Sequence, residues 1–170
     1  MRILRFVLLT VAILSPLLAE DTGYLCVKAK PGRAGVFLDG KYLGPAANFR
    51  VARTYAVPAG QHELKLVDPR YEEVTQSVTV PAGKKIKVRQ QLKALPIPSG
   101  PFGKIRTENA DRFAAVYLNG KYYGHVDEFS NPTQGILLPP GDYEVKIEPL
   151  SGQPISKTVK VEANQTVLVK

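Results

Sequence analysis

The sequence predicts an all-β chain, two tandem antiparallel β-sandwich domains behind a secretory leader. Three observations point there. The stretch VFLDGKYLG, Val36 to Gly44, returns as VYLNGKYYG, Val116 to Gly124. Both halves alternate apolar and polar residues in short runs divided by Gly, Pro, Asn and Asp, as half-buried strands do. No window carries a capped amphipathic helix pattern.

The N-terminus places Arg2 and Arg5 ahead of an apolar run from Phe6 to Leu14, then Ser15, Pro16 and the acids Glu20 and Asp21. That order reads as a signal peptide over 1–19, cut after Ala19, although Leu17 is bulkier than the small-residue rule prefers. A retained anchor is the alternative, but Ile3 to Ala19 is shorter than the ~20 apolar residues that span a bilayer. With the leader removed no span remains, so the expected location is secreted or periplasmic. The single cysteine, Cys26, permits no internal disulfide and is expected as a thiol on a strand face.

The domains are read as 20–93 and 103–170, joined by a Pro-rich linker over 94–102, ALPIPSGPF, which is extended and fairly stiff. Ala34-Gly35-Val36 aligns with Ala114-Ala115-Val116, and LDGK with LNGK. One residue later in the second copy, AGQHELKL faces PGDYEVKI and SVTVPAGKKIKV faces TVKVEANQTVLV. In the strand that leads into the repeated turn, Val36 and Leu38 point inward and Phe37 outward. Asp39-Gly40 and Asn119-Gly120 then turn a type I′ hairpin, where both residues tolerate positive φ, and the chain returns to Gly44 and Gly124. PAG at Pro58 to Gly60 and PPG at Pro139 to Gly141 punctuate the next turn. Leu64 and Leu66, matched by Val145 and Ile147, face the core; Val78 and Val80, matched by Val159 and Val161, do so on the following strand.

A small residue before V-x-L-[DN]-G-x-x-x-G, then a PGxYxLxV-like strand and a closing strand pair around AG, resembles the PEGA domain family. The stretches are AGVFLDGKYLG with PAGQHELKL and AAVYLNGKYYG with PPGDYEVKI, and the resemblance covers about 70 residues in each half. The naming letters survive only as Pro31-Gly32-Arg33-Ala34 and Asp111-Arg112-Phe113-Ala114. The Thr-Pro common after the hairpin is Pro45-Ala46 in one copy and His125-Val126 in the other. The resemblance implies a small extracytoplasmic β-sandwich module on bacterial cell-surface proteins, with a binding or structural role and no established catalytic residues.

Enzymatic constellations are sparse. Asp39 in one copy is Asn119 in the other, an exchange a general base would not survive, so Asp39, Gly40, Gly44, Asn119, Gly120 and Gly124 are read as structural turn residues. His62 and His125 fall at non-equivalent places; His62 is expected on the solvent face of its strand, and HVDE, His125 to Glu128, in a solvated loop. There is no G-x-S-x-G elbow and no close-spaced ligand cluster. No catalytic, metal or cofactor site is therefore expected. Asn164-Gln165-Thr166 matches a glycosylation acceptor but sits where a turn is expected.

Binding features are clearer. The formal charge is +8, and the mature excess lies in the first half: thirteen Lys and Arg against seven Asp and Glu from Glu20 to Leu95, eight against eight thereafter. In GKKIKVRQQLK, Ile86 and Val88 facing inward place Lys85, Lys87 and Arg89 together outside. That row is either a protected exposed strand or an electrostatic contact for an acidic polymer. The second repeat has Thr166, Leu168 and Lys170 there. At the hairpins, Lys41, Tyr42, Lys121, Tyr122 and Tyr123 are candidate contact residues, unless the tyrosines pack over their own hairpins. The expected function is a non-catalytic binding or structural adaptor module at the bacterial cell envelope. Its expected partner is an anionic envelope polymer or another envelope protein, not nucleic acid. The alternative is an envelope enzyme, or its accessory domain, with a site between the two domains.

Overall fold

A computed structural model describes residues 22–49 and 54–170; the expected leader and its cleavage point lie outside the described residues. Domain one carries β1 (Thr22–Lys30), β2 (Gly35–Leu38), β3 (Lys41–Pro45), a 3-10 turn (Ala46–Phe49), β4 (Tyr55–Pro58), β5 (Gly60–Val67), β6 (Val74–Val80) and β7 (Lys85–Gln91). Domain two repeats the order as β8 (Gly103–Thr107), β9 (Ala115–Leu118), β10 (Lys121–His125), the one-turn helix α1 (Val126–Phe129), β11 (Ile136–Leu138), β12 (Gly141–Glu148), β13 (Ile155–Val161) and β14 (Thr166–Val169).

Each domain packs a three-stranded sheet on a four-stranded one. The orders are β4-β1-β7 with β3-β2-β5-β6, and β11-β8-β14 with β10-β9-β12-β13. Most pairings are antiparallel, but the first and last strands of each repeat run parallel, β1 beside β7 and β8 beside β14. This follows from the connection: β6 and β13 lie in the opposite sheet, so the chain crosses the sandwich before the last strand joins the first.

Alternation decides the cores. Leu25, Val27, Val36, Leu38, Leu64, Leu66, Val78 and Val80 close domain one, and Ile105, Val116, Leu118, Val145, Ile147, Val159 and Val161 close domain two. At ~1.5–3 kcal/mol for each fully buried aliphatic side chain, such a set is what a ~70-residue sandwich without a disulfide rests on.

The hairpins turn as expected: φ is +50° and +78° at Asp39 and Gly40, +49° and +76° at Asn119 and Gly120. A bulge follows in both copies, because Phe37 pairs with Tyr42 while Val36 pairs with Gly44, and Tyr117 and Val116 pair likewise with Tyr122 and Gly124. Gly44 and Gly124 therefore stand on the returning strand beyond the bulge rather than in the turn. The bulge leaves the side chains of residues 42 and 122 on the outer face and lets Leu43 and Tyr123 pack against their own cores. At the last turn Gly83 and Asn164 share a left-handed backbone, φ +65° and +61°, so the acceptor-like Asn164 occupies a glycine's place.

Two expectations fail. His62 is 9% exposed, not on the solvent face, because it is in phase with Leu64 and Leu66. The stretch HVDE is not a solvated loop: Val126 and Phe129, three apart, bury one face of α1, and His125 is buried beside them.

Candidate functional site

The ground between the domains is where the sequence left a site open, and tyrosine rings fill it. Phe37 and Tyr42 come from the outer face of the domain-one hairpin, Tyr117 and Tyr122 from that of domain two. The Tyr122 ring lies 5.3 Å from Phe37, 5.5 Å from Tyr42 and 5.8 Å from Tyr117, in tilted and edge-on contacts of the favourable kind. The Tyr42 hydroxyl donates to the Phe113 carbonyl at 3.2 Å, a direct bond from domain one to domain two. Burial pushes the phenols of Tyr42 and Tyr122 upward, and that of Tyr117 up to about 12, so all three stay neutral.

Gly35 explains how Tyr122 gets so close. A Cβ at Gly35 would stand 2.5 Å from the Tyr122 ring, whereas the matching position of the second repeat holds Ala115. The alanine-to-glycine difference between the copies is the imprint of one domain on the other.

A charged cluster lies beside the rings. Asp68, its side chain fully covered, accepts Arg70 at 2.8 and 3.0 Å and Arg33 at 3.1 Å. Arg70 also bonds Glu128 of α1, and Arg33 stands 3.5 Å from the same carboxylate oxygen. Burial acts to raise the Asp68 carboxyl, but the bonds from Arg70 and Arg33 outweigh it and hold the group below the usual range. Burial raises Glu128, with Arg70 pulling against it, and lowers His125, whose Nδ1 stands 3.7 Å from the other oxygen of Glu128. Asp68 is thus occupied by two guanidinium groups of its own domain, and the same two reach Glu128 across the seam.

The predicted contact residues separate accordingly. Lys41 and Lys121 are exposed at the hairpin tips. Tyr42 and Tyr122 are not displayed to solvent: Tyr122 is 5% exposed, and both pack in the interdomain seam. Tyr123 is partly buried on the domain-two core. Tyr42 and Tyr122 pack over their own hairpins, Tyr42 at 5.3 Å from Phe37 and Tyr122 beside Tyr117, and against the other domain as well. The sequence carried a signal for this in the unequal pair Gly35 and Ala115.

The other candidate surface is intact. Lys85, Lys87 and Arg89 alternate with the partly buried Ile86 and Val88 along β7 and are all exposed. Register sets Arg89 beside Lys28 and Lys87 beside Cys26 of β1. Cys26 shares that outer side yet is buried, 3% exposed. The linker is pinned at its start, Leu95 N–H donating to the Arg70 carbonyl at 2.8 Å. It borders an open groove of about 470 Å³ lined by Tyr71, Leu95, Ile97, Phe102, Phe129 and Leu137 among others. Among the described residues no three His, Cys, Asp or Glu converge in a metal-binding geometry, and no helix is long and apolar enough to cross a membrane.

Two β-sandwiches of one topology, locked face to face by hairpin aromatics, define a tandem β module. The PEGA domain model matches residues 22–95 and 104–170, and the chain belongs to the PEGA domain family. No curated protein matches the sequence significantly. Among solved structures, "The Bacillus anthracis TIE protein" is similar at 13% identity and a TM-score of 0.27, over 88% of this chain and 34% of that chain. This chain thus spans about a third of that one.

Proposed function

We propose that this protein is a non-catalytic module that works outside the cytoplasm, at the bacterial cell envelope, and presents its two sandwiches as one rigid binding or bridging body. The observation that carries the reading is the seam. Groups that could have served a ligand between the domains, Tyr42, Tyr122 and Glu128, are instead committed to holding the domains together, and Asp68 holds the Arg70 that reaches Glu128. An enzyme with its site in that gap needs convergent acids or histidines open to substrate. There Asp68 and Glu128 are bonded to Arg33 and Arg70, and His125 beside Glu128 is buried rather than open to substrate. The leader-like N-terminus and family membership support the location.

The test is sedimentation of the full chain with isolated envelope material, sacculi and membranes separately, at low and physiological salt. The adaptor reading expects retention in at least one fraction. No retention at either ionic strength contradicts it.

A further inference from the structure

The sheet β4-β1-β7 of domain one contains five cations, Lys28, Lys30, Lys85, Lys87 and Arg89, and not one carboxylate. All five are exposed, and among the described residues none has an ion-pair partner. Four other cations of the domain are paired: Lys65 binds Glu73 at 2.7 Å, Lys93 binds Glu72 at 2.8 Å, and Arg33 and Arg70 close the seam. Unpaired like charges set side by side on one face repel one another, which is a standing cost to the folded domain.

Protection of an edge accounts for part of the row and not the rest. Strand β7 is an edge, where lysines deter pairing with another chain. Lys28 and Lys30 lie on β1, the central strand of the sheet, which has no open edge to protect. The fold does not demand the charges either. The matching sheet of domain two shows Leu137, Thr166 and Leu168 beside Lys104 and Arg106.

We propose that the outer face of β4-β1-β7 is a binding site for a linear phosphodiester polymer of the envelope, a polyol phosphate chain. Lys28, Lys85, Lys87 and Arg89 meet successive phosphates and Lys30 extends the track. The inference rests on the adaptor reading and supplies its ligand class.

Geometry favours this ligand. Alternate residues of a strand lie ~6.6 Å apart on one face and neighbouring strands ~4.8 Å apart, so the cations form two parallel rows of regular period. Leu25, Val27, Ile86 and Val88 are anchored in the core and keep both rows facing outward. A thin chain with one phosphate per short polyol repeats its charge at a comparable interval. A polymer of sugar acids is a stiffer ribbon whose ring faces gain from aromatic stacking, and this face offers only Tyr24, at its end. A lipid surface calls for apolar side chains to insert. None of the large exposed apolar residues of the domains other than Tyr24 lies on these three strands.

Fluorescence anisotropy of labelled poly(glycerol phosphate) titrated with the full chain tests the proposal. Binding should weaken steeply with salt. The triple substitution Lys85→Gln, Lys87→Gln, Arg89→Gln should lower low-salt affinity by about tenfold or more and flatten the log–log salt slope by about half. These side chains are exposed, so the melting temperature should hold and serves as the folding control. A surface control, Lys65→Gln with Lys157→Gln, should leave binding unchanged. Unlabelled poly(glycerol phosphate) should displace the label at lower charge concentration than polygalacturonate or phosphatidylglycerol vesicles. An unaffected triple variant, or better displacement by either competitor, overturns the proposal. Retention on envelope material without binding to poly(glycerol phosphate) overturns this inference alone; loss of both removes the adaptor reading as well.

Discussion

His62 and Tyr143 occupy the same place in the two repeats, and each bonds the carbonyl of the proline four residues before it. His62 Nε2 lies 2.8 Å from the Pro58 oxygen, and the Tyr143 hydroxyl donates to the Pro139 oxygen at 3.0 Å. Domain one adds a partner, Asp39 Oδ2, 2.6 Å from His62 Nδ1. A carbonyl and a carboxylate only accept, so both bonds are satisfied together only when both ring nitrogens donate, which favours the imidazolium.

The bond to Asp39 raises the His62 pKa, and the bond from His62 lowers that of Asp39. The histidine's contribution to stability is therefore full below its ordinary value of 6.5 and is lost as pH rises through its elevated folded value. The aspartate's is present above its ordinary 3.8 and is lost as pH falls through its depressed folded value. In His62→Tyr the proline bond survives, as Tyr143 shows, and the charge pair is gone. The melting-temperature gap between native protein and variant should narrow from mildly acidic to alkaline pH. Parallel curves would contradict the imidazolium.

Asp39 and Asn119 share one role. Asp39 Oδ1 accepts the Glu63 N–H at 2.8 Å and Asn119 Oδ1 accepts that of Glu144 at 2.9 Å, each at positive φ. Asn119→Asp should be close to neutral in urea unfolding. Asn119→Ala, losing the bond and a residue tolerant of left-handed backbone, should cost about 1–2 kcal/mol. A neutral alanine would remove the side chain from the account of the turn.

Much of the fold was legible because it depends on parity, and parity is local. Val36 and Leu38, Leu64 and Leu66, Val145 and Ile147 all point as alternation required. His62 was misplaced when polarity overrode its phase with Leu64, although the matching Tyr143 hinted at a half-covered position. The four-residue helix α1 is too short for a 3.6-residue period to declare itself, and only Val126 and Phe129 mark its buried side. Parity put Phe37 on the outer face, where the bulge also leaves Tyr42 and its counterpart Tyr122. It could not tell that the outer face of one domain is the inner face of the pair, since that contact joins strands some eighty residues apart.

Gly35→Ala tests that contact. The methyl group has nowhere to go except into the Tyr122 ring, which costs ~1–3 kcal/mol when packing is forced apart. The cost should fall on the seam rather than on the domain-one core. Tyrosine fluorescence and small-angle scattering should then report a looser pair of domains with each sandwich still folded. Unchanged scattering would mean that the seam accommodates the methyl group.

Glu128→Gln removes the domain-two carboxylate that Arg70 and Arg33 reach across the seam. Both arginines are more than a third exposed and keep Asp68, so the loss is screened and should be modest, about 1 kcal/mol. Arg70→Ala should cost more, since it also strips two hydrogen bonds from the buried Asp68. Equal losses in chemical unfolding would place the weight of the cluster on Glu128 instead.

The central claim is that the two sandwiches move as one body, and the distance between them tests it most directly. Spin labels at Ser77→Cys on β6 and Lys157→Cys on β13, both exposed, with the buried Cys26 left in place, allow that distance to be read by double electron–electron resonance. A seam of four aromatic rings and a bridging Glu128 predicts a single narrow distribution that broadens in Gly35→Ala. A broad distribution in the native protein, unchanged by that substitution, would mean that the linker alone joins the domains and would contradict the account.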